Sequence, residues 1–119
     1  MIVVDSNDIQ AVASPTGDPI ILGRVFLKML MDPDSTGGMA ISSVTFTPGS
    51  RNKFHVHDNE QILYVTEGKG IVATKEKEYV VTPGTVVFIP AGEVHWHGAV
   101  EDSPFTHIAL FKGQCILAE

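Results

Sequence analysis

The hydrophobic residues of this chain fall into short runs that are bounded by turn residues. Clusters of proline and glycine separate the runs at intervals of roughly 8–12 residues, which is the spacing seen in β-sandwiches and barrels. Seven runs have the length and the Val, Ile, Thr and Phe content of β-strands: 23–31, 39–46, 61–67, 70–75, 78–82, 85–89 and 105–111. The pattern predicts an all-β fold.

The run IILGRVFLKMLM, residues 20–31, is the segment in which a helix competes with a strand. Its leucines and methionines favour a helix, whereas Gly23 interrupts it and turn sequences flank it. No segment combines helix caps with a 3.6-residue repeat over a long span. We therefore predict a strand here as well.

The length and the charge narrow the range of functions. A chain of 119 residues has the size of one domain, and no linker or repeat divides it, so we expect a single domain over 1–119. The formal net charge of -6 at pH 7 argues against nucleic acid as a partner, and no apolar run is long enough for a membrane span. The first residues do not have the pattern of a signal peptide, and we expect a cytoplasmic protein.

Two further expectations concern packing and the one cysteine. Cys115 cannot form an internal disulfide, and no neighbour in the sequence would lower its pKa, so we do not expect a catalytic thiol. Aromatic residues on the predicted strands are expected to pack in the interior, and these are Phe46, Phe54, Tyr64, Phe88 and Trp96.

The histidines carry the strongest chemical signal. Four of the five form two His-x-His pairs, His55 with His57 and His95 with His97. Residues two positions apart in a strand face the same side, so each pair could offer two imidazole ligands to a metal ion. An isolated histidine on a strand is more often a hydrogen-bonded structural residue, but two pairs in one small domain favour a site for a first-row divalent metal.

The spacing around both pairs resembles the two motifs of the cupin superfamily. The first motif covers 49–68 and the second 84–99, with the matching residues Gly49, His55, His57, Gln61 and Gly68, then Gly84, Pro90, Gly92 and His95. Gln61 stands where the general motif has glutamate, and Ala99 stands where it has asparagine. The resemblance implies a double-stranded β-helix, the jelly-roll barrel of cupins, with one divalent metal inside.

Longer stretches such as QILYVTEG (61–68) and GTVVFIPAGEVHWHGA (84–99) are similar to a narrower group of small cupins. This group includes relatives of carboxymuconolactone decarboxylase-type proteins and the bacterial metal-dependent hydroxynitrile lyases. Its glutamate position is commonly glutamine, which implies that Gln61 joins His55, His57 and His95 as a metal ligand. The alternative for Gln61 is a barrel-lining residue that hydrogen-bonds water. Four neutral ligands admit Mn, Fe, Ni, Co, Cu or Zn and leave the ion its full charge.

The same resemblance implies catalytic residues beside the metal. His97 faces the side of His95, and it could orient a ligand or transfer a proton near neutral pH. His107 matches a catalytic histidine of the lyases, although a buried structural histidine would give the same sequence pattern. Asn52 stands where those enzymes carry another small polar group. Phe111 replaces a polar amide residue, which argues against the lyase reaction but leaves the metal site intact.

We expect an enzyme that acts on a small oxygenated organic molecule, with the metal as a Lewis acid. Lyase, isomerase, decarboxylase and dioxygenase reactions all occur on this fold. The alternative is a non-catalytic module that binds or senses a small ligand at the metal. The resemblance also implies a homodimer, in which N-terminal strands within about residues 1–40 pack together or exchange.

Overall fold

The chain folds into antiparallel strands, as its hydrophobic pattern predicts. The computed structural model describes residues 1–118, and within them it contains strands, one short α-helix and one 3-10 turn. The strands are β1 (Val12–Ala13), β2 (Ile21–Leu22), β3 (Val25–Met31), β4 (Ala40–Phe46), β5 (Arg51–Asn52), β6 (His55–His57), β7 (Gln61–Gly68), β8 (Gly70–Ala73), β9 (Glu78–Val81), β10 (Val86–Ile89), β11 (Trp96–Ala99), β12 (Phe105–Phe111) and β13 (Cys115–Leu117). The helix α1 covers Pro33–Thr36, and the 3-10 turn covers Ser6–Asp8. No helix in this part of the chain has the length and apolar character that a membrane crossing requires.

Two sheets enclose the interior of the molecule. Six strands form one sheet in the order β1-β3-β4-β12-β7-β10, and five form the other in the order β2-β5-β11-β8-β9. Strands β13 and β6 pair separately, also in antiparallel fashion. Because β12 lies between β4 and β7, strands that are distant in sequence become neighbours, as in a jelly roll. The all-β jelly-roll barrel expected from the sequence is confirmed.

The ambiguous run at 20–31 is extended, and it forms β2 and β3 on either side of Gly23. Gly23 has φ 98°, a backbone conformation that residues other than glycine rarely adopt. A Cβ atom at this position would lie 2.8 Å from Cβ of Ser50. The residue that argues against a helix in the sequence therefore makes the turn between two strands that belong to different sheets.

The hydrophobic core lies directly against the histidines. Phe46, Leu63 and Phe105 are fully buried, and burial of each such side chain contributes about 1.5–3 kcal/mol. The ring centroid of Phe46 is 5.8 Å from that of His97 and 5.7 Å from that of His107. The core therefore packs directly against two of the residues for which the sequence predicts a catalytic role.

The expectation that Tyr64 and Phe88 pack inside is wrong. Tyr64 is 45% exposed and Phe88 is 62% exposed. Leu63 and Val65 take the inward positions of β7, so alternation turns the tyrosine between them outward. The expectation holds for Phe46 and Trp96, which are buried, and Phe54 is half-buried.

Candidate metal centre

Two strands and the segment before β11 bring the four predicted metal ligands to the interior. His55 and His57 are the end residues of β6, and both are buried. His95 lies just before β11, and it pairs with His55 through two backbone hydrogen bonds of 2.9 and 3.0 Å. The centroid of the His55 ring is 4.3 Å from that of His95 and 5.1 Å from that of His57. Gln61, the first residue of β7, is buried and lines the same cavity as His55 and His57.

Backbone carbonyls orient two of these rings. Nδ1 of His55 lies 2.8 Å from the carbonyl oxygen of Lys53, and Nδ1 of His95 lies 2.9 Å from that of Glu93. A carbonyl only accepts, so in each ring Nδ1 carries the proton and Nε2 keeps its lone pair. This is the arrangement that prepares a histidine to bind a metal through Nε2.

Several buried polar atoms at this place have no hydrogen-bond partner, namely Oε1 of Gln61, Nε2 of His95 and both ring nitrogens of His57. A buried polar atom without a partner lowers the free energy of unfolding by about 1–3 kcal/mol. A ligand that bonds to a group of such atoms would remove this loss. A divalent ion accepts lone pairs from nitrogen and oxygen alike. The donor set therefore fits a metal, and the oxygen of Gln61 is free to act as one of its ligands.

The distances allow more than one set of three ligands. His55, His95 and His97 offer ligand atoms that lie within 4.8 Å of one another, and so do His55, His57 and Cys115. Nε2 of His97 is also buried without a partner. The structure therefore brings every predicted ligand into one cluster and adds two neighbours, His97 and Cys115, whose atoms are within reach of a metal.

Asn52, His97 and His107 form a buried network behind this cluster. Oδ1 of Asn52 accepts a hydrogen bond of 2.8 Å from the backbone N–H of His97, which turns its Nδ2 toward Nδ1 of His97 at 3.4 Å. Nε2 of His107 lies 3.2 Å from the same Nδ1. The His107 side chain is fully buried, lines the cavity and contacts His97, a position that suits both a catalytic and a structural histidine.

Burial lowers the pKa of all five histidines. For His55, His57 and His107 the pKa falls from 6.5 to about 4, with loss of solvation as the main cause. The pKa of His95 is also lowered by burial, and that of His97 is well below 6.5 because of burial and then the nearby His107. Each imidazole is therefore neutral near pH 7, which is the form that binds a metal or accepts a proton.

A cavity of about 360 Å³ opens onto the cluster, and its size suits a small organic molecule. Six of the seven predicted site residues line it, whereas a second cavity of about 640 Å³ between β9 and β10 touches only His95. The first cavity therefore contains most of the predicted site residues. Its other walls are mostly apolar and include Ile21, Leu27, Val44 and Phe111.

Cys115 is a neighbour of the cluster that sequence reasoning missed. It lies opposite His57 in the β13–β6 pair and lines the cavity. Partial loss of solvation, and then the charge of Asp18, raise the pKa of its thiol to about 11, although the residue as a whole is exposed; this agrees with the expectation that it is not a catalytic nucleophile. The pairing joins residues 58 positions apart, and no local pattern in the sequence predicts it.

Comparison with known proteins identifies the family. The model Cupin_2, described as a cupin domain, matches residues 42–111. The chain belongs to the cupin family. Cupins commonly bind a metal, and the histidine cluster described above could hold one.

Relatives within the cupin family include enzymes. An (R)-mandelonitrile lyase from Granulicella tundricola is 40% identical over 90 residues, which are 74% of this chain and 68% of that protein. The crystal structure of a cupin-like protein from Thermotoga maritima has 33% identity and a TM-score of 0.82, covering 88% of this chain and 84% of that one. A predicted oxalate decarboxylase from the same organism has a TM-score of 0.80 over 98% of this chain and 100% of that one, and its 23% identity shows the fold alone.

Proposed function

We propose that this cupin is a metal-dependent lyase that cleaves a small α-hydroxynitrile of the mandelonitrile class. The observation that carries the proposal is the neutral His97–His107 pair, which lines the same cavity as His55, His57 and Gln61 of the donor set. The 40% identity to an (R)-mandelonitrile lyase supports this choice among the reactions that cupins perform.

The cavity has the polarity that such a substrate requires. Ile21, Leu27, Val44 and Phe111 offer apolar surface to an aromatic or aliphatic group. The histidines, Asn52 and Gln61 supply the polar groups, so the hydroxyl end of the substrate is directed toward them. Phe111, which replaces a polar amide of the lyases, is half-buried with its ring centroid 6.3 Å from that of His57, and we assign it to the wall that contacts the apolar group.

A divalent ion held by His55, His57, Gln61 and His95 would supply positive charge that polarises the substrate at its oxygen or nitrile. The chain itself supplies the proton acceptor. His97 takes the hydroxyl proton at Nε2 as the C–O double bond forms and the bond to the nitrile carbon breaks. The electron pair of that bond leaves with cyanide, and cyanide takes up the proton that His97 accepted, so the products are an aldehyde and hydrogen cyanide and the histidine is neutral again.

The contact between His97 and His107 lets the positive charge of an added proton pass from one ring to the other. In the tautomer with the proton on Nδ1, His97 donates to Nε2 of His107 over 3.2 Å, and the Asn52 amide nitrogen, 3.4 Å from the same Nδ1, is a neighbour without a hydrogen bond. When Nε2 of His97 gains a proton, Nδ1 can pass its own proton to Nε2 of His107. Asn52 keeps the His97 backbone in place through its 2.8 Å hydrogen bond. The network therefore combines a proton acceptor, a relay partner and a positioning residue.

The direct test uses protein purified without a histidine tag. The protein is stripped with a chelator, loaded in turn with Mn, Fe, Co, Ni, Cu or Zn, and its metal content is measured by elemental analysis. Racemic mandelonitrile is then added, and benzaldehyde formation is followed. We expect about one metal per chain and product formation only in the loaded protein, with the stripped protein as the control.

Two results would contradict the proposal. Folded protein that binds none of the six metals would remove the metal centre. Metal-loaded protein that is stabilised against heat by mandelonitrile, yet forms no benzaldehyde, would instead identify a binding or sensing module.

A further inference from the structure

Strand pairing places the thiol of Cys115 on the metal-facing side of β6. Cys115 is directly opposite His57 in the antiparallel β13–β6 pair. Side chains that are directly opposite in such a pair project to the same face, and His57 projects to the interior. Cys115 accordingly lines the same cavity as His57, His55 and Gln61.

The distances and the unpartnered atoms point to a ligand at this place. Sγ of Cys115 and one ring nitrogen from each of His55 and His57 lie within 4.8 Å of one another. His57 is 7% exposed, and neither of its ring nitrogens has a hydrogen-bond partner. A buried imidazole without a partner, next to a thiol and a second imidazole, forms the beginning of a soft metal-binding set.

We propose that Cys115 is an additional ligand of the metal centre, bound through Sγ beside His55 and His57. The proposal rests on the metal centre of the proposed function and deepens it. On binding, the S–H bond breaks, the proton passes to solvent and an Sγ–metal bond forms, so that no oxidant or reductant is needed. A metal-bound thiol is deprotonated by the ion itself.

A thiolate ligand changes which metals the centre prefers. Thiolates select soft and borderline ions such as zinc, cobalt or copper over manganese. The thiolate also adds one negative charge to an otherwise neutral ligand set, so it reduces the positive charge that the substrate meets. The centre should consequently bind zinc or cobalt in preference to manganese, and removal of the thiol should weaken that preference.

Cobalt(II) provides the test, because its visible bands report metal binding and a thiolate-to-cobalt band in the near ultraviolet reports sulfur ligation. Stripped wild-type protein, Cys115→Ser and Cys115→Ala are titrated with cobalt(II). We expect both band systems in the wild type, and only the visible bands in the two variants. Visible bands without the near-ultraviolet band in the wild type overturn the inference and leave the metal centre standing. The absence of both band systems also overturns the inference, and the metal centre is lost with it if the protein binds none of the other five metals.

Alkylation gives an independent measurement, since Cys115 is the single cysteine of the chain. The thiol is exposed, so iodoacetamide should modify it in the stripped protein. We expect cobalt or zinc at saturation to slow this modification by about tenfold or more, because the metal competes for the same sulfur. An unchanged rate at saturating metal would overturn the inference.

Discussion

At the scale of the residue, the chemistry of the site depends on which nitrogen of each histidine is free. The backbone carbonyls of Lys53 and Glu93 hold Nδ1 of His55 and His95, so these two rings present Nε2. In His97, Nδ1 faces Asn52 and His107 instead. Since a backbone carbonyl is present whatever the side chain, His55 and His95 keep their orientation independently of the residue types at 53 and 93, whereas His97 depends on two particular side chains.

This difference separates the two histidines of the second pair in a mutational test. His95→Ala should lose most of the metal affinity, because it removes one ligand of the set. His97→Ala should keep the metal to within roughly 10–100-fold, as expected for a residue that contacts ligands without binding the ion, but it should lose turnover. Calorimetric titration with zinc and the benzaldehyde assay measure the two effects.

His107→Ala is the matched control, because it removes the relay partner and leaves both candidate ligand positions untouched. It should lower turnover at unchanged metal affinity. Equal loss of metal in His95→Ala and His97→Ala would make His97 a ligand, a role that the 4.8 Å group of His55, His95 and His97 permits.

At the scale of the element, the close approach of β11 to β5 holds the proton-transfer network together. A Cβ atom at Gly98 would lie 2.6 Å from Cα of Arg51 and 2.6 Å from the carbonyl oxygen of Ser50. The neighbouring residues on the two strands, His97 and Asn52, form the 2.8 Å hydrogen bond. The absence of a side chain at position 98 is therefore what lets the asparagine reach the histidine.

Gly98→Ala should force β5 and β11 apart. Overpacking of this kind costs about 1–3 kcal/mol in the free energy of unfolding, and the displaced Asn52 should lower turnover as well. Urea denaturation and the benzaldehyde assay measure the two losses. Gly84→Ala is the control, since Gly84 has φ 93° and open space around its Cβ position; it should lower stability alone. Full activity in a destabilised Gly98→Ala protein would show that turnover does not depend on the close approach of β5 to β11.

The elements also show what the sequence can predict and where it fails. Alternation within β6 predicts that His55 and His57 share a face, because both residues belong to one strand and the relation is local. The outward position of Tyr64 is not predictable in this way, since Ile62, Leu63, Tyr64 and Val65 are apolar on both faces of β7. The approach of Cys115 to His57 depends on a pairing between strands that are distant in sequence, and the sequence contains no local trace of it.

At the scale of the whole molecule, an apolar surface extends over one sheet. Ile62 and Tyr64 of β7 lie beside Phe88 and Val86 of β10 in register, and all four are exposed. Exposed apolar faces of this kind are typical of protein interfaces. The homodimer expected from the sequence stays a prediction, and this face is a second candidate surface for it beside the N-terminal strands.

The same scale sets the response of the protein to acid, because all five histidines are buried together. An unfolded chain takes up a proton on each histidine near pH 6.5, whereas the folded chain keeps His55, His57 and His107 neutral down to a pKa of about 4. Between these values the unfolded state binds more protons, so the free energy of unfolding should fall as the pH is lowered from 6.5 to 4. Asp32 and Asp58, whose pKa values lie below 3.8, act only at lower pH.

The free energy of unfolding should fall steeply with pH below 6.5, since each histidine that stays neutral in the folded protein contributes about 1.4 kcal/mol per pH unit. Urea denaturation of the chelator-treated protein at pH 7.5, 6 and 5 measures it, with little change expected above pH 6.5. His107→Gln, which cannot titrate, should flatten the slope by the contribution of one proton. A free energy of unfolding that is constant from pH 7.5 to 5 would mean that the histidines have the same pKa in the folded and the unfolded protein, and that burial does not lower it.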